Sequence, residues 1–299
     1  MFVFVLIVTL TTGCRGSSEY KKLADAGNEY TNAVDKLLVA TIDIHLESRS
    51  RYFLDKMPEY IVRQKVDEEE IRKKLIQFSK EDAKYLNTIR DLREHNKLLG
   101  DYFRQLNKLA ASNASANLPE QLTTITNNLT ITGKRLLGSL QANNPTSTGT
   151  KPVEASNSKK PELFQDIIIG SPVSSKFTGA LRSELEQHKD IIMGEIVIQK
   201  EMLQLIGEQI ERKAQTIREI EQQRILIKPL ERPEALSEPE RSQWIAMRKN
   251  LQTMYTIAEE LSEASRTLGN LQAVFQAFVE GKSTVDKLNN VSKQIKELK

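Results

Sequence analysis

Cysteine is almost missing from this 299-residue chain, which has a single one, Cys14. One thiol excludes an intramolecular disulfide framework and any multi-cysteine metal site. Turn formers are scarce as well, with 13 Gly and 9 Pro, and few turn residues in a long chain mean few turns and long elements. Aromatic residues make up 6%, with one Trp, and hydrophobic residues 39%, below the usual share. Such a thin apolar supply suits narrow seams between long helices better than a broad core. Nor does either charge dominate: 43 basic residues stand against 40 acidic ones, a net charge of +3. A nucleic-acid partner is therefore not expected, because that function concentrates basic residues on one face. Here acids and bases interleave, as in REIEQQR at 218–224, which is how solvated helix faces read.

Catalytic signatures are missing too. The three histidines, His45, His95 and His188, fall on different predicted helices, and none belongs to an HExxH-type motif. They are expected at solvated or seam-edge positions. There is no Gly-rich phosphate loop and no nucleophile elbow. Strand patterns are nearly absent, which removes the doubly wound folds where cofactors usually sit. No enzyme activity, cofactor or metal site is expected.

What is present starts at the N-terminus. Residues 1–13, MFVFVLIVTLTTG, carry no charge and are apolar from Phe2 to Leu10. That run is about half of the roughly 20 residues needed to span a bilayer as a helix, and it fits the apolar region of a secretory signal. It ends in Leu10-Thr11-Thr12-Gly13-Cys14, which resembles the lipobox of bacterial lipoproteins: a small residue before the cleaved bond, then the thiol that takes the lipid. The resemblance implies several acyl chains, palmitate among them, on Cys14, and more than one chain is what makes anchoring stable. It also implies the cell envelope as location. Asp after the cysteine commonly retains such proteins in the inner membrane, and Arg15 stands there instead, which favours an outer membrane facing the periplasm. Arg15-Gly16-Ser17-Ser18 reads as a polar tether.

From Glu19 onward, apolar residues recur at helical spacing. The first stretch, through Leu23, Tyr30, Val34, Leu37, Thr41 and Ile44, is expected to break or kink at Met57-Pro58, because proline removes a donor and disfavours helix before it. The second is a heptad seam: Ile71, Leu75, Phe78, Asp82, Tyr85, Ile89, Leu92, Asn96, Leu99, Phe103, Leu106 and Ala110. Asp82 and Asn96 are its polar members, at a positions, where such residues set register at a cost in stability. On that reading Asn96→Leu raises stability and relaxes pairing; the alternative is that Asn96 faces water in an open seam. Asp67 to Glu70, just ahead, complement the helix dipole. A third helix, rich in Thr and Asn, is expected from about Pro119 to Leu140.

Residues 142–160, crowded with Pro, Ser, Thr and Asn, read as a flexible linker, followed by a short apolar element, LFQDIII. The second half then predicts one long helix from about Ser174 to Ile227, with Leu203, Ile206, Ile210, Lys213, Ile217, Ile220, Arg224 and Ile227 in its seam, where Lys213 and Arg224 are polar insertions whose aliphatic stems can still cover apolar surface. Lys228-Pro229 to Arg232-Pro233 form a turn, and Ser237 with Glu240 makes a capping box. The return helix carries Trp244, Met247, Leu251, Met254, Ala258, Leu261, Ser265 and Leu268. A last helix holds Val285, Leu288, Ile295 and Leu298.

The expected architecture is all-α: a signal region, 1–14, then long antiparallel hairpins at 15–141 and 161–299 forming an elongated, coiled-coil-like bundle. The function expected from it is a membrane-anchored envelope scaffold. It would hold membrane lipid through acylated Cys14, engage a protein partner, and pair with a second copy through leftover seam surface. A periplasmic bundle that binds a ligand is the alternative, with Asp82 or Asn96 lining a cavity. A helical pore-forming toxin ranks last, because its best apolar stretch, IIMGEIVI at 191–198, is short and interrupted by Glu195.

Overall fold

The structure, a computed structural model, describes residues 17–64, 67–110, 118–142, 180–221, 236–282 and 284–298. Within them the chain is an all-α bundle of α1 (Ser17–Gln64), α2 (Glu68–Ala110), α3 (Leu118–Ala142), α4 (Ala180–Glu221), α5 (Glu238–Val279) and α6 (Val285–Glu297). Cys14, the linker beyond Ala142, the LFQDIII element and the turn at 228–233 lie outside the described residues.

Helix length follows from the shortage of breakers. α1 has 48 residues, about 72 Å at 1.5 Å per residue. It corrects one expectation: the helix does not break at Met57-Pro58 but continues to Gln64. A proline there deprives the Leu54 carbonyl of its amide partner, and Leu54 is 70% exposed, so water can supply the missing bond.

The helix ends are set locally. Asp67 caps α2, its carboxylate accepting from the Glu70 N–H at 2.9 Å, with Glu68, Glu69 and Glu70 in the first turn. At α5 the Glu240 carboxylate reaches back to accept from the Ser237 N–H at 2.8 Å and from its hydroxyl at 2.6 Å. α5 ends where Gly281 takes φ +78° and the Lys282 N–H donates to the Ala277 carbonyl at 2.9 Å. The left-handed residue turns the chain into α6.

Two antiparallel hairpins dominate the packing, α4 with α5 and α1 with α2. In the first, the Ser265 hydroxyl donates to the Lys200 carbonyl at 3.1 Å. Gly207 lets the backbones approach, since a Cβ there would stand 3.2 Å from the Ala258 carbonyl oxygen. In the second, Arg93 grips Asp35 through two bonds of 2.8 and 3.0 Å. α3 packs on α2 and on α4, while α5 and α6 pack on α1. Both halves of the chain therefore feed one core, from Leu23, Tyr30 and Phe103 to Leu203, Phe275 and Ile295. Tyr30 ties α1 to α5 by donating its buried hydroxyl to the Ala264 carbonyl at 3.0 Å. Fully burying each large apolar side chain contributes about 1.5–3 kcal/mol.

The α2 seam is buried only from Ile89 onward, through Leu92, Leu99, Phe103 and Leu106. Its first turns face α1 across a groove lined by Tyr52, Phe53, Met57, Lys74 and Phe78, and Leu75 and Ile76 stay 50% exposed.

Two glycines in helix interiors test this packing in opposite directions. Gly138 has nothing within 4 Å of where a Cβ would sit, so Gly138→Ala should raise stability by about 0.5–1 kcal/mol. A Cβ on Gly27 would overlap the ring of Phe103, so Gly27→Ala should lower stability, overpacking costing about 1–3 kcal/mol. Urea unfolding giving the reverse order would contradict the packing.

Candidate functional site

Along α4 the polar residues His188, Glu195, Gln199 and Lys213 are spaced 7, 4 and 14 apart. Those intervals are close to whole turns of a 3.6-residue helix, so the four share one face. That face looks into the bundle toward α1, α2 and α3. His188 is 4% exposed, Glu195 6% and Gln199 0%. Buried polar groups of this kind need partners, because an unpaired one costs about 1–3 kcal/mol.

Partners come from the other three helices. Near the His188 end, the Thr126 hydroxyl of α3 stands 3.4 Å from His188 Nδ1. One layer along, His95 of α2 is fully buried. Its Nε2–H donates to the Glu195 carbonyl at 3.2 Å, which leaves Nδ1 to accept from the Thr132 hydroxyl at 3.0 Å. The Glu195 carboxylate sits in space that Gly133 leaves open, for a Cβ there would overlap it. In the next layer the Gln199 amide donates to Asn96 Oδ1 at 2.8 Å, and Asn96 Nδ2 donates to the Thr31 carbonyl at 2.7 Å. That links α4, α2 and α1 in one chain.

The last layer is the most highly charged. Asp82 of α2 accepts from His45 Nε2 and from Arg49 Nε, both at 3.0 Å. Lys213 donates to His45 Nδ1 at 2.5 Å. The His45 ring stacks on Tyr85 at 3.8 Å, and the Lys213 ammonium lies 4.3 Å from the centre of the Tyr85 ring. The result is a chain from carboxylate through imidazole to ammonium, spanning three helices.

Burial governs how these groups titrate. His45 is lowered from 6.5 to about 4, by desolvation first and then by Lys213. His95 falls to about 4 for the same first reason. Desolvation, helped by the Arg49 charge, lowers Lys213 from 10.5 to about 8. Glu195 is raised from 4.5 to about 7 by burial, against the pull of Lys134. A neutral imidazole flanked by an ammonium and a carboxylate can relay a proton or hold the ammonium toward an adjoining groove.

The structure thus brings Asp82 together with Lys213, His45 and Arg49, and Asn96 together with Gln199. Asn96 is 1% exposed, so it does not face water. The histidines were expected at solvated or seam-edge positions and are instead buried, at 4, 0 and 4% exposure for His45, His95 and His188, because each finds a hydrogen-bonding partner on a neighbouring helix. The sequence signal that would have found them is the turn-by-turn spacing of polar residues inside an apolar helix face. Among the described residues no group of three or more His, Cys, Asp and Glu side chains is placed to hold a metal ion. No family model, curated protein or solved structure matches the chain.

Two predictions follow from the layers. Asn96→Leu removes the acceptor of a fully buried Gln199 amide, so it should cost about 1–3 kcal/mol rather than raise stability as the seam alone suggests; a gain on urea unfolding would contradict this. The second concerns pH. Between about 4 and 6.5 the unfolded chain binds protons at His45 and His95 that the fold refuses, so stability rises with pH, by about 1.4 kcal/mol per unit for each fully engaged group. Glu195 opposes this: its contribution is complete below about 4.5 and is lost as pH climbs to about 7. Glu195→Gln should therefore steepen the rise between pH 4.5 and 6.5 and lift the plateau above pH 7. An unchanged stability–pH profile would show that Glu195 is not buried as described.

Proposed function

We propose that the protein is a lipid-anchored scaffold of a bacterial envelope, held to a membrane by acylated Cys14 and presenting its helical bundle to a protein partner. One observation carries the reading: α1 begins at Ser17, three residues after the lipobox-like Leu10–Cys14. From Ser17 the same unbroken helix reaches Leu54, 37 residues on, a span of about 56 Å. A rigid element starting beside the anchor is what a spacer needs, because little chain is left to swing. At the far end of the hairpin Tyr52, Leu54, Leu75 and Ile76 are 39, 70, 50 and 50% exposed. Apolar surface of this kind favours a protein contact, with the partner or a second copy of the chain as occupant. Among the described residues no helix is long and apolar enough to cross a membrane. The buried state of Ile192, Ile196 and Ile198 gives no support to a pore-forming role for 191–198, since that stretch is committed to the core.

A second reading, a ligand-binding bundle, has its own support in the convergence of Arg49 and Lys213 beside a groove between α1 and α4.

Metabolic labelling with an alkyne fatty acid tests the anchor. The native chain should take up label and fractionate with membranes, and Cys14→Ser should lose both. Equal labelling of the two would remove the anchor from the account. A photo-crosslinker at Ile76 should then give a discrete adduct in the native chain that weakens when Cys14→Ser releases the bundle; adducts that do not depend on Cys14 would contradict the scaffold.

A further inference from the structure

We infer that the groove between α1 and α4 is a binding site for a small amphiphilic organic anion, a carboxylate or phosphate monoester with a short apolar body. This rests on the second reading alone and does not need the anchor.

The groove is open to solvent and offers about 350 Å³, within the range of small-ligand sites. Three cations line it, Arg49 from α1 and Arg212 and Lys213 from α4, and among the described residues no carboxylate does. That sets it apart from other grooves on the bundle. The one between α4 and α5 is lined by Glu211, Glu259 and Glu263 with a single Arg266, and the one at the start of α2 by Asp67, Glu69 and Glu70 with Lys73 and Lys74.

The three cations are unequally satisfied. Arg49 turns away toward α2, where it pairs with Asp82 and Glu81 at 3.0 and 2.7 Å. Arg212 has one long pairing, 3.7 Å to Glu208, and its side chain is 62% exposed. Lys213 has an imidazole nitrogen for its hydrogen-bond partner, and among the described residues no carboxylate stands within ion-pairing distance of it. Asp82, behind His45, already serves two donors. Burial and then the Arg49 charge lower the proton affinity of Lys213, against the pull of Asp82. An anion seated between Lys213 and Arg212 would supply a counter-charge, with charge-assisted bonds as the strong contacts.

The rest of the lining argues for an apolar body behind the charge. Tyr52 and Ile217 flank the cations, together with the Thr216 side chain and the aliphatic stems of the lysine and arginines. A bare inorganic ion would meet the cations and leave that surface unused.

Titration calorimetry on the full chain carrying Cys14→Ser tests the site with anchoring removed. The probes are octanoate, octyl phosphate and inorganic phosphate, at pH 8 in two buffers of different ionisation enthalpy, with phosphatidylglycerol vesicles as a separate arm. The site predicts saturable one-to-one binding of octanoate or octyl phosphate, tighter than inorganic phosphate. It also predicts net proton uptake, because the anion raises the proton affinity of Lys213 near its midpoint. The titratable and charged groups facing Lys213 are His45 and Arg49 from α1 and Asp82 and Tyr85 from α2. Lys213→Gln should weaken binding by about tenfold or more and abolish the proton uptake. Arg212→Gln, at an exposed position, should weaken it by about threefold while leaving the melting temperature unchanged. Equal affinity in the Lys213→Gln and parent proteins, no saturable binding of either amphiphile, or binding to vesicles alone would each overturn the site. None of these outcomes bears on fatty-acid labelling at Cys14, so the two readings fail separately.

Discussion

A helix face that must be buried yet carries His188, Glu195, Gln199 and Lys213 leaves α4 few places to sit. Each of these groups loses water when it enters the bundle, and an unpaired one costs stability there. α1, α2 and α3 supply Asn96 to Gln199, Thr126 to His188 and His45 to Lys213 at matching heights, while His95 bonds the Glu195 backbone carbonyl and a buried oxygen of the Glu195 carboxylate is left without a hydrogen bond. This matching, more than the apolar seams, fixes how the second half of the chain lies on the first.

The seams alone would be ambiguous. A slide of α4 by one heptad moves it about 10 Å and still sets apolar residues against apolar residues, because the pattern repeats every seven. The same slide would part Gln199 from Asn96 and Lys213 from His45. Apolar burial does not by itself discriminate between those registers, whereas these polar contacts exist in only one of them. Contacts that join α1, α2 and α4 in this way are consistent with the spacer role proposed for the bundle. The charged layer also leaves one side open to solvent between α1 and α4, where the cations face a groove.

The period of the apolar residues made the helices legible from sequence, and scarcity of glycine and proline made their length legible. Capping at Ser237 and Glu240 was readable because it is local, and so was the acidic start of α2. Pro58 misled, because its cost depends on whether the orphaned Leu54 carbonyl is wet, which is a tertiary fact. The first turns of the α2 seam misled similarly: a heptad pattern shows where burial could occur, not how far covering helices extend. Asp82 and Lys213 stood out as polar interruptions of separate seams, yet nothing in either seam says that the two helices meet. The histidines were unreadable for the same reason, since their partners lie up to 168 residues away along the chain.

The central claim is that polar contacts across α4 make the two halves one cooperative body. The single tryptophan, Trp244 on α5, reports the second half, while far-ultraviolet ellipticity reports every helix. Urea unfolding followed by both signals should give one shared midpoint and one shared slope. A Trp244 transition clearly separated from the loss of ellipticity would show two halves that fold apart, and would contradict the account.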